Sequence, residues 1–232
     1  MNCGKINREA GNAFLYVLIA IVLFGALMFT LSRSEEQNDG NSDLTEGRTS
    51  VSANEIMAYA ATVTNAITQM QNTGTQNSQI DFMLPDDSTF NNPPTLYKLF
   101  HPDGGGLNYK ALPSNAVGVA GTLTPKAGYY VGRFNNVEWT PTTQNDVMFV
   151  AYNISQPVCA EIDRKLRGST TIPAFPSGNA KQYFINGTIF SGSNQNLMAT
   201  DCAACDEIPA MCVSFVNGAT THYLFYNIIE SE

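Results

Sequence analysis

The chain has 232 residues, 44% of them hydrophobic and 10% aromatic, which is enough apolar material for one sizeable core and excludes wholesale disorder. Charged residues make up only 14%, against about 25% in a typical soluble protein. Twelve Lys and Arg stand against twenty Asp and Glu, which argues against a nucleic-acid partner because phosphate binding needs a cationic surface.

The first element is the strongest signal. From Ala13 to Leu31 the chain reads AFLYVLIAIVLFGALMFTL, nineteen residues without a charge. As a helix this run is about 28 Å long, close to the roughly 30 Å of a bilayer's hydrocarbon core. Lys5 and Arg8 precede it, and Arg33 is followed at once by Glu35 and Glu36. The positive-inside rule therefore places the N-terminus in the cytoplasm and everything after Arg33 outside. Residues 34 to 232 carry nine basic against nineteen acidic side chains, a net charge of −10. Three readings compete for the segment. A secretory signal peptide has a shorter apolar run and an A-x-A-like site, for which only Ser32 and Ser34 offer small residues. A plain membrane anchor fits length and flanks. The third is a prepilin-type segment, in which a short basic leader ends in Gly and the apolar helix follows the cut.

MNCGKINREAG ends at Gly11 and is followed by NAFLYVLIAIVLFGALMFTLSR. This resembles the leader and helix start of bacterial type IV pilin-like and pseudopilin-like proteins. Further on, ITQMQNTGTQNSQIDF, LFHPDGGGLNY, ISQPVCAEIDRKL and a cysteine near a C-terminal hairpin are similar in order to segments of pilin-like proteins of Gram-negative bacteria. The resemblance implies cleavage between Gly11 and Asn12 by a prepilin peptidase, and storage in the inner membrane with the domain in the periplasm. It also implies assembly with other pilin-like subunits through Phe14, Tyr16, Ile19, Gly25 and Ala26 of the apolar helix. Gly25 and Ala26 allow close helix approach. The chain departs from the family at the fifth mature position, where Tyr16 stands in place of Glu and removes the carboxylate thought to pair with a neighbouring subunit's amine.

SRSEEQNDGNSDLTEGRTS (32–50) then reads as a solvated polar linker, assigned to 34–50, or a frayed helix. Ser52 with Glu55 three residues on forms a capping box, so a second helix is expected to start there. Ile56, Ala60, Val63, Ile67 and Met70 recur at helical spacing and are expected to lie against the protein's own sheet, with Asn65 and Gln69 outward. Asn72, Thr73 and Gly74 end the helix.

GYYVGRF (128–134) and DVMFVAYNI (146–154) are strand candidates, rich in aromatic and β-branched residues. Ser155 to Arg167 should hold a short helix with Pro157 in its first turn and Val158, Ile162 and Leu166 on one face. Between Tyr183 and Phe190, Asn186 and Gly187 suit a two-residue hairpin turn. CVSFVNGATTHYLFYNII suggests a final, longer-looped hairpin, with Val213 and Phe215 facing Tyr223 and Phe225 or their neighbours.

The cysteines are Cys3, Cys159, Cys202, Cys205 and Cys212. With Cys3 in the leader, four remain outside, which suggests two disulfides among three possible connectivities. We expect one bond from Cys159 to the C-terminal cluster and one within it; the resemblance also implies a C-terminal disulfide closing a loop. The rival is a zinc site of Cys202, Cys205 and Cys212 with His222, although a strong zinc signature has two ligand pairs. Redox use of the CAAC pair lacks the flanking strand and helix of a thioredoxin-like fold.

His101, Asp103 and the glycines of HPDGGG read as a mobile turn, since no phosphate-loop ending follows. Asp81, Asp86 and Asp87 are calcium candidates whose spacing matches no EF-hand. Asn153 and Asn186 open N-x-S/T sequons. His101 and His222 permit a Ser-His-Asp arrangement in principle, but no G-x-S-x-G element supports one. The expected architecture is α+β: leader 1–11, apolar helix 12–33, linker 34–50, and a domain over 51–232 in which an amphipathic helix packs on an antiparallel sheet closed by disulfides. The expected role is structural, with no cofactor, no resident metal and no catalytic residue. The alternative is an anchored extracytoplasmic binding module that does not polymerise.

Overall fold

The computed structural model describes residues 40–119, 123–176, 180–185 and 195–230. The chain divides into two compact units, residues 1–47 and 48–232, and only 40–47 of the first are described. Among the described residues no helix is long and apolar enough to cross a membrane. The apolar segment 13–31 and the Gly11/Asn12 junction lie outside the described residues.

The first described element is helix α1, Gly40–Asn72. Of the two readings open for 40–50 the helical one holds, and one expectation is corrected: Ser52 sits inside the helix, 1% exposed, instead of capping it. Residues 44–48 are exposed, so their polarity reported solvent contact and not backbone state. Once a helix is nucleated each added residue gains a hydrogen bond at little cost, so extension through a polar stretch competes well with a fresh start at Ser52. The apolar stripe is as expected: Ile56, Ala60, Val63, Ile67 and Met70 are all buried, while Asn65 and Gln69 are exposed. The helix stops where Gly74 takes φ +98°, with Gly74 N donating to Gln71 O at 2.8 Å and Thr75 N to Met70 O at 3.0 Å.

Residues 75–127 contain two short 3-10 turns, Asn77–Gln79 and Ser114–Ala116, and otherwise no regular element among the described residues. The sheet follows: β1 (Gly128–Asn135), β2 (Asp146–Ile154), β3 (Ala210–Asn217) and β4 (Thr220–Glu230), antiparallel in the order β1-β2-β4-β3. All nine residues of β2 are buried, because both faces of the sheet are covered. On one face Phe149, Ala151 and Phe225 pack with the α1 stripe and with Val158 and Ile162 of helix α2 (Gln156–Arg167). On the other, Met148, Val150, Tyr152, Val213, Leu224 and Tyr226 pack with Phe175, Leu197 and helix α3 (Ala180–Phe184).

Three local expectations are corrected, and one strand pairing is as expected. The arm from Tyr183 is not a strand: Ala180–Phe184 is a short helix that buries Phe184, and the Asn186-Gly187 turn lies outside the described residues. A three-residue apolar run, Tyr183 to Ile185, is too short to distinguish helix from strand by period. The β3–β4 loop is tight, since Asn217 pairs with Thr220 across Gly218 and Ala219, with Gly218 at φ +65°. Val213 and Phe215 are opposed by Leu224 and His222, the neighbours of Tyr223 and Phe225. In α2, which carries Pro157 in its first turn, Leu166 is 45% exposed, and the inward position is taken by Asp163.

Candidate functional site

The four described cysteines form two disulfides. Cys159 of α2 is bonded to Cys212 of β3, 53 residues apart, and Cys202 to Cys205, three apart. The first ties helix to sheet and is backed by an ion pair. Asp163, fully buried, accepts from Cys212 N at 2.9 Å and pairs with Arg167 at 2.5 Å, and Arg167 also reaches Thr171 O at 3.1 Å. A buried carboxylate is tolerable only with such partners. The zinc set is not assembled, because Cys212 is spent on Cys159 and His222 is engaged elsewhere. Among the described residues no three His, Cys, Asp or Glu side chains form a metal cluster. The CAAC pair sits in a turn, with Cys202 N bonded to Met198 O and Cys205 N to Cys202 O, not at the start of a helix.

His222 lies on β4 beside the Phe215 ring, with Nδ1 2.9 Å from Asn153 Oδ1. Burial pushes its pKa down. Asn153 adopts φ +55°, is 4% exposed, and donates through Nδ2 to Val119 O at 3.2 Å, so its sequon is closed to a glycan in the folded chain. His101 Nδ1 lies 3.5 Å from an Asp103 carboxylate oxygen and accepts from Asp103 N at 3.2 Å. Among the described residues no serine hydroxyl bonds either histidine, so a Ser-His-Asp arrangement is not brought together.

The HPDGGG segment is a turn held by backbone hydrogen bonds. Gly104 N and Gly106 N both donate to His101 O at 2.9 Å, and Leu107 N donates to Leu99 O at 3.2 Å. A Cβ on Gly104 would stand 2.2 Å from Lys98 O, so close backbone approach explains that glycine. Lys98 itself is 3% exposed, and its Nζ donates to the carbonyls of Thr89 (3.0 Å), Phe90 (2.7 Å) and Asn92 (2.7 Å). Nothing in the sequence pattern distinguished this lysine from a solvated one.

A cleft of about 680 Å³ runs along the outer strand β1, lined by Phe82, Met83, Leu84 and Val131 with Asp81, Asp86 and Asp87. Arg133 lies 5.4 Å over the Phe82 ring and donates to the carbonyls of Asn77 and Ile80. Two of the calcium candidates are committed to turns. Asp81 Oδ1 accepts from Met83 N at 2.9 Å, and Asp87 Oδ1 accepts from Thr89 Oγ1 at 2.6 Å and Thr89 N at 2.7 Å, bonds that hold the Asp87 carboxyl below its usual range. These acids are Asx-type turn formers.

Processing residues Gly11 and Asn12 and assembly residues Phe14, Tyr16, Ile19, Gly25 and Ala26 lie outside the described residues. No protein-family model, curated protein or solved structure matches this chain.

Proposed function

We propose that the chain is a structural subunit of a type IV pilus-like or type II secretion pseudopilus-like filament, held in the inner membrane by its N-terminal helix before assembly. The observation that carries this reading is the uncharged run Ala13–Leu31, set behind a basic leader ending at Gly11. Lys5 and Arg8 keep the leader in the cytoplasm, where a prepilin peptidase cuts before Asn12. The apolar helix then exchanges lipid contacts for contacts with the helices of other subunits. Two disulfides in one small domain support an oxidising, extracytoplasmic compartment for residues 34–232. An amphipathic helix laid on an antiparallel sheet, with the sheet tied to α2 by Cys159–Cys212, is a body suited to a stacked, mechanically loaded subunit.

The test is the mass of the protein isolated from its native host. A chain beginning at Asn12 supports the proposal; one beginning at Met1 or near Arg33 defeats it. Electron microscopy of sheared surface material then decides whether fibres form. The second reading, an anchored binding module that never polymerises, is favoured by the open cleft along β1. It keeps residues 1–11 attached and forms no fibres.

A further inference from the structure

Among the described residues, four buried side-chain polar atoms have no hydrogen-bond partner. All four belong to the end of β1, the following connection and the start of β2: Asn135 Oδ1, Trp139 Nε1, Thr142 Oγ1 and Asp146 Oδ1. Buried polar groups are nearly always paired, so orphans gathered in one stretch need a cause. Two of them belong to register partners, just past the bulge that follows Arg133. Asn135 is the register partner of Asp146, and directly opposed residues of antiparallel strands hold their Cβ atoms about 4.5–5.5 Å apart on one face. Asn135 is 1% exposed and Asp146 is fully buried.

The other polar atoms of the pair are committed. Asn135 Nδ2 donates to Gln182 O at 3.0 Å and to Tyr183 O at 2.5 Å, both in α3. That fixes the amide's orientation, since only the nitrogen can serve two carbonyls. Asp146 Oδ2 accepts from Val137 N at 2.7 Å and Thr140 Oγ1 at 3.1 Å. An amide oxygen and a carboxylate oxygen are left on these register partners, two acceptors to which no donor is bonded. One hydrogen on the carboxyl would let the amide oxygen accept from it without any added donor.

We propose that Asp146 is the neutral acid in the folded protein, its Oδ1–H donating to Asn135 Oδ1, and that this single proton latches the 136–145 connection and α3 to the sheet. The proton comes from solvent, and its loss leaves two buried acceptors in opposition.

The charged and titratable groups on the elements packed around the latch are Glu138, Tyr183, Lys181, Arg133 and Glu230. On the connection, the Glu138 carboxylate accepts from Ala199 N at 2.7 Å. On α3, Tyr183 donates its hydroxyl to Asp201 at 3.4 Å, and Lys181 is the charged residue. On β1, Arg133 is turned to the carbonyls of Asn77 and Ile80. On β4, Glu230 is the register partner of Val147. Burial is the largest influence on the Asp146 carboxyl and pushes its pKa up, against the bonds from Val137 and Thr140.

The sign follows from linkage. Between the unfolded value of 3.8 and the raised folded value, the folded chain holds a proton that the unfolded chain has released. Stability is therefore fully present at the acid end of that window and is lost as pH rises through it. The loss is about 3–5 °C of Tm per pH unit for a domain of this size. The experiment is thermal unfolding of the full chain and of Asp146→Asn from pH 4 to 9, together with a carboxyl-carbon NMR titration of Asp146 in the unaltered protein. In Asp146→Asn the amide donates to Asn135 Oδ1 at every pH, so the wild-type Tm should fall relative to the variant as pH rises. A wild-type minus variant difference that stays constant or grows with pH overturns the proposal. If the variant does not fold, the titration decides alone: a protonated carboxyl at pH 6 supports the latch, and an ionised one ends it.

Discussion

Removing Cys159–Cys212 by the double substitution Cys159→Ala/Cys212→Ala should cost far more than removing Cys202–Cys205 the same way. The bonds close loops of 53 and 3 residues respectively. In the chain-entropy account a crosslink over the longer loop restricts the unfolded chain by about 4 kcal/mol at 25 °C, and one over the shorter by about 1.6 kcal/mol. All four cysteines are at most 2% exposed, so the void left by the lost sulfurs is comparable in the two variants and largely cancels in the comparison. The remaining difference of about 2.5 kcal/mol corresponds to about 5–10 °C in Tm for a domain of this size. Urea unfolding of the purified full chain measures it, with a second readout in the slope. Freeing a 53-residue loop enlarges the denatured state and should raise m, whereas freeing the short one should not. Equal losses in the two variants, or a larger loss for Cys202/Cys205, would refute the reasoning.

Three further outcomes are expected. Lys98→Met strands the carbonyls of Thr89, Phe90 and Asn92 and should cost about 3 kcal/mol, with new protease cleavage between residues 89 and 92 in limited digestion. Asp163→Ala leaves Arg167 and Cys212 N without their buried partner and should cost about 3–5 kcal/mol by urea unfolding; Asp163→Asn, which can still accept from Cys212 N, should cost less. His222 has its pKa lowered by burial, so between 6.5 and the folded value the unfolded chain takes up a proton that the folded one refuses. Stability should fall with pH through that window, and His222→Gln should flatten the acid slope; an unchanged slope would mean that the ring titrates freely.

Much of the fold was legible locally. The helical spacing of Ile56, Ala60, Val63, Ile67 and Met70 marked a buried stripe because a helix places those positions on one side whatever it packs against. The β1 and β2 runs were legible through their aromatic and β-branched content, and α2 through Pro157 and the 158/162 pair. The misreadings share a cause. Ser52 and Glu55 satisfy a capping rule over four residues, but the helix continues N-terminally beyond it. Leu166 fits an apolar face by type, yet Asp163 takes the inward place because Cys212 N and Arg167 supply its partners from β3 and from one turn on.

The residues in order were sufficient to settle where the apolar segment 13–31 begins and ends, which stretches are amphipathic, and that four cysteines are available for two bonds. These depend on composition and on periods of two or 3.6 residues, which are short-range quantities. The pairing of Cys159 with Cys212, the burial of Lys98, Asp146 and Asp163, and the contact of His222 with Asn153 were decided only when distant parts of the chain met. A buried polar group is made tolerable by partners as far as 69 residues away, and no local pattern encodes where those partners come to lie.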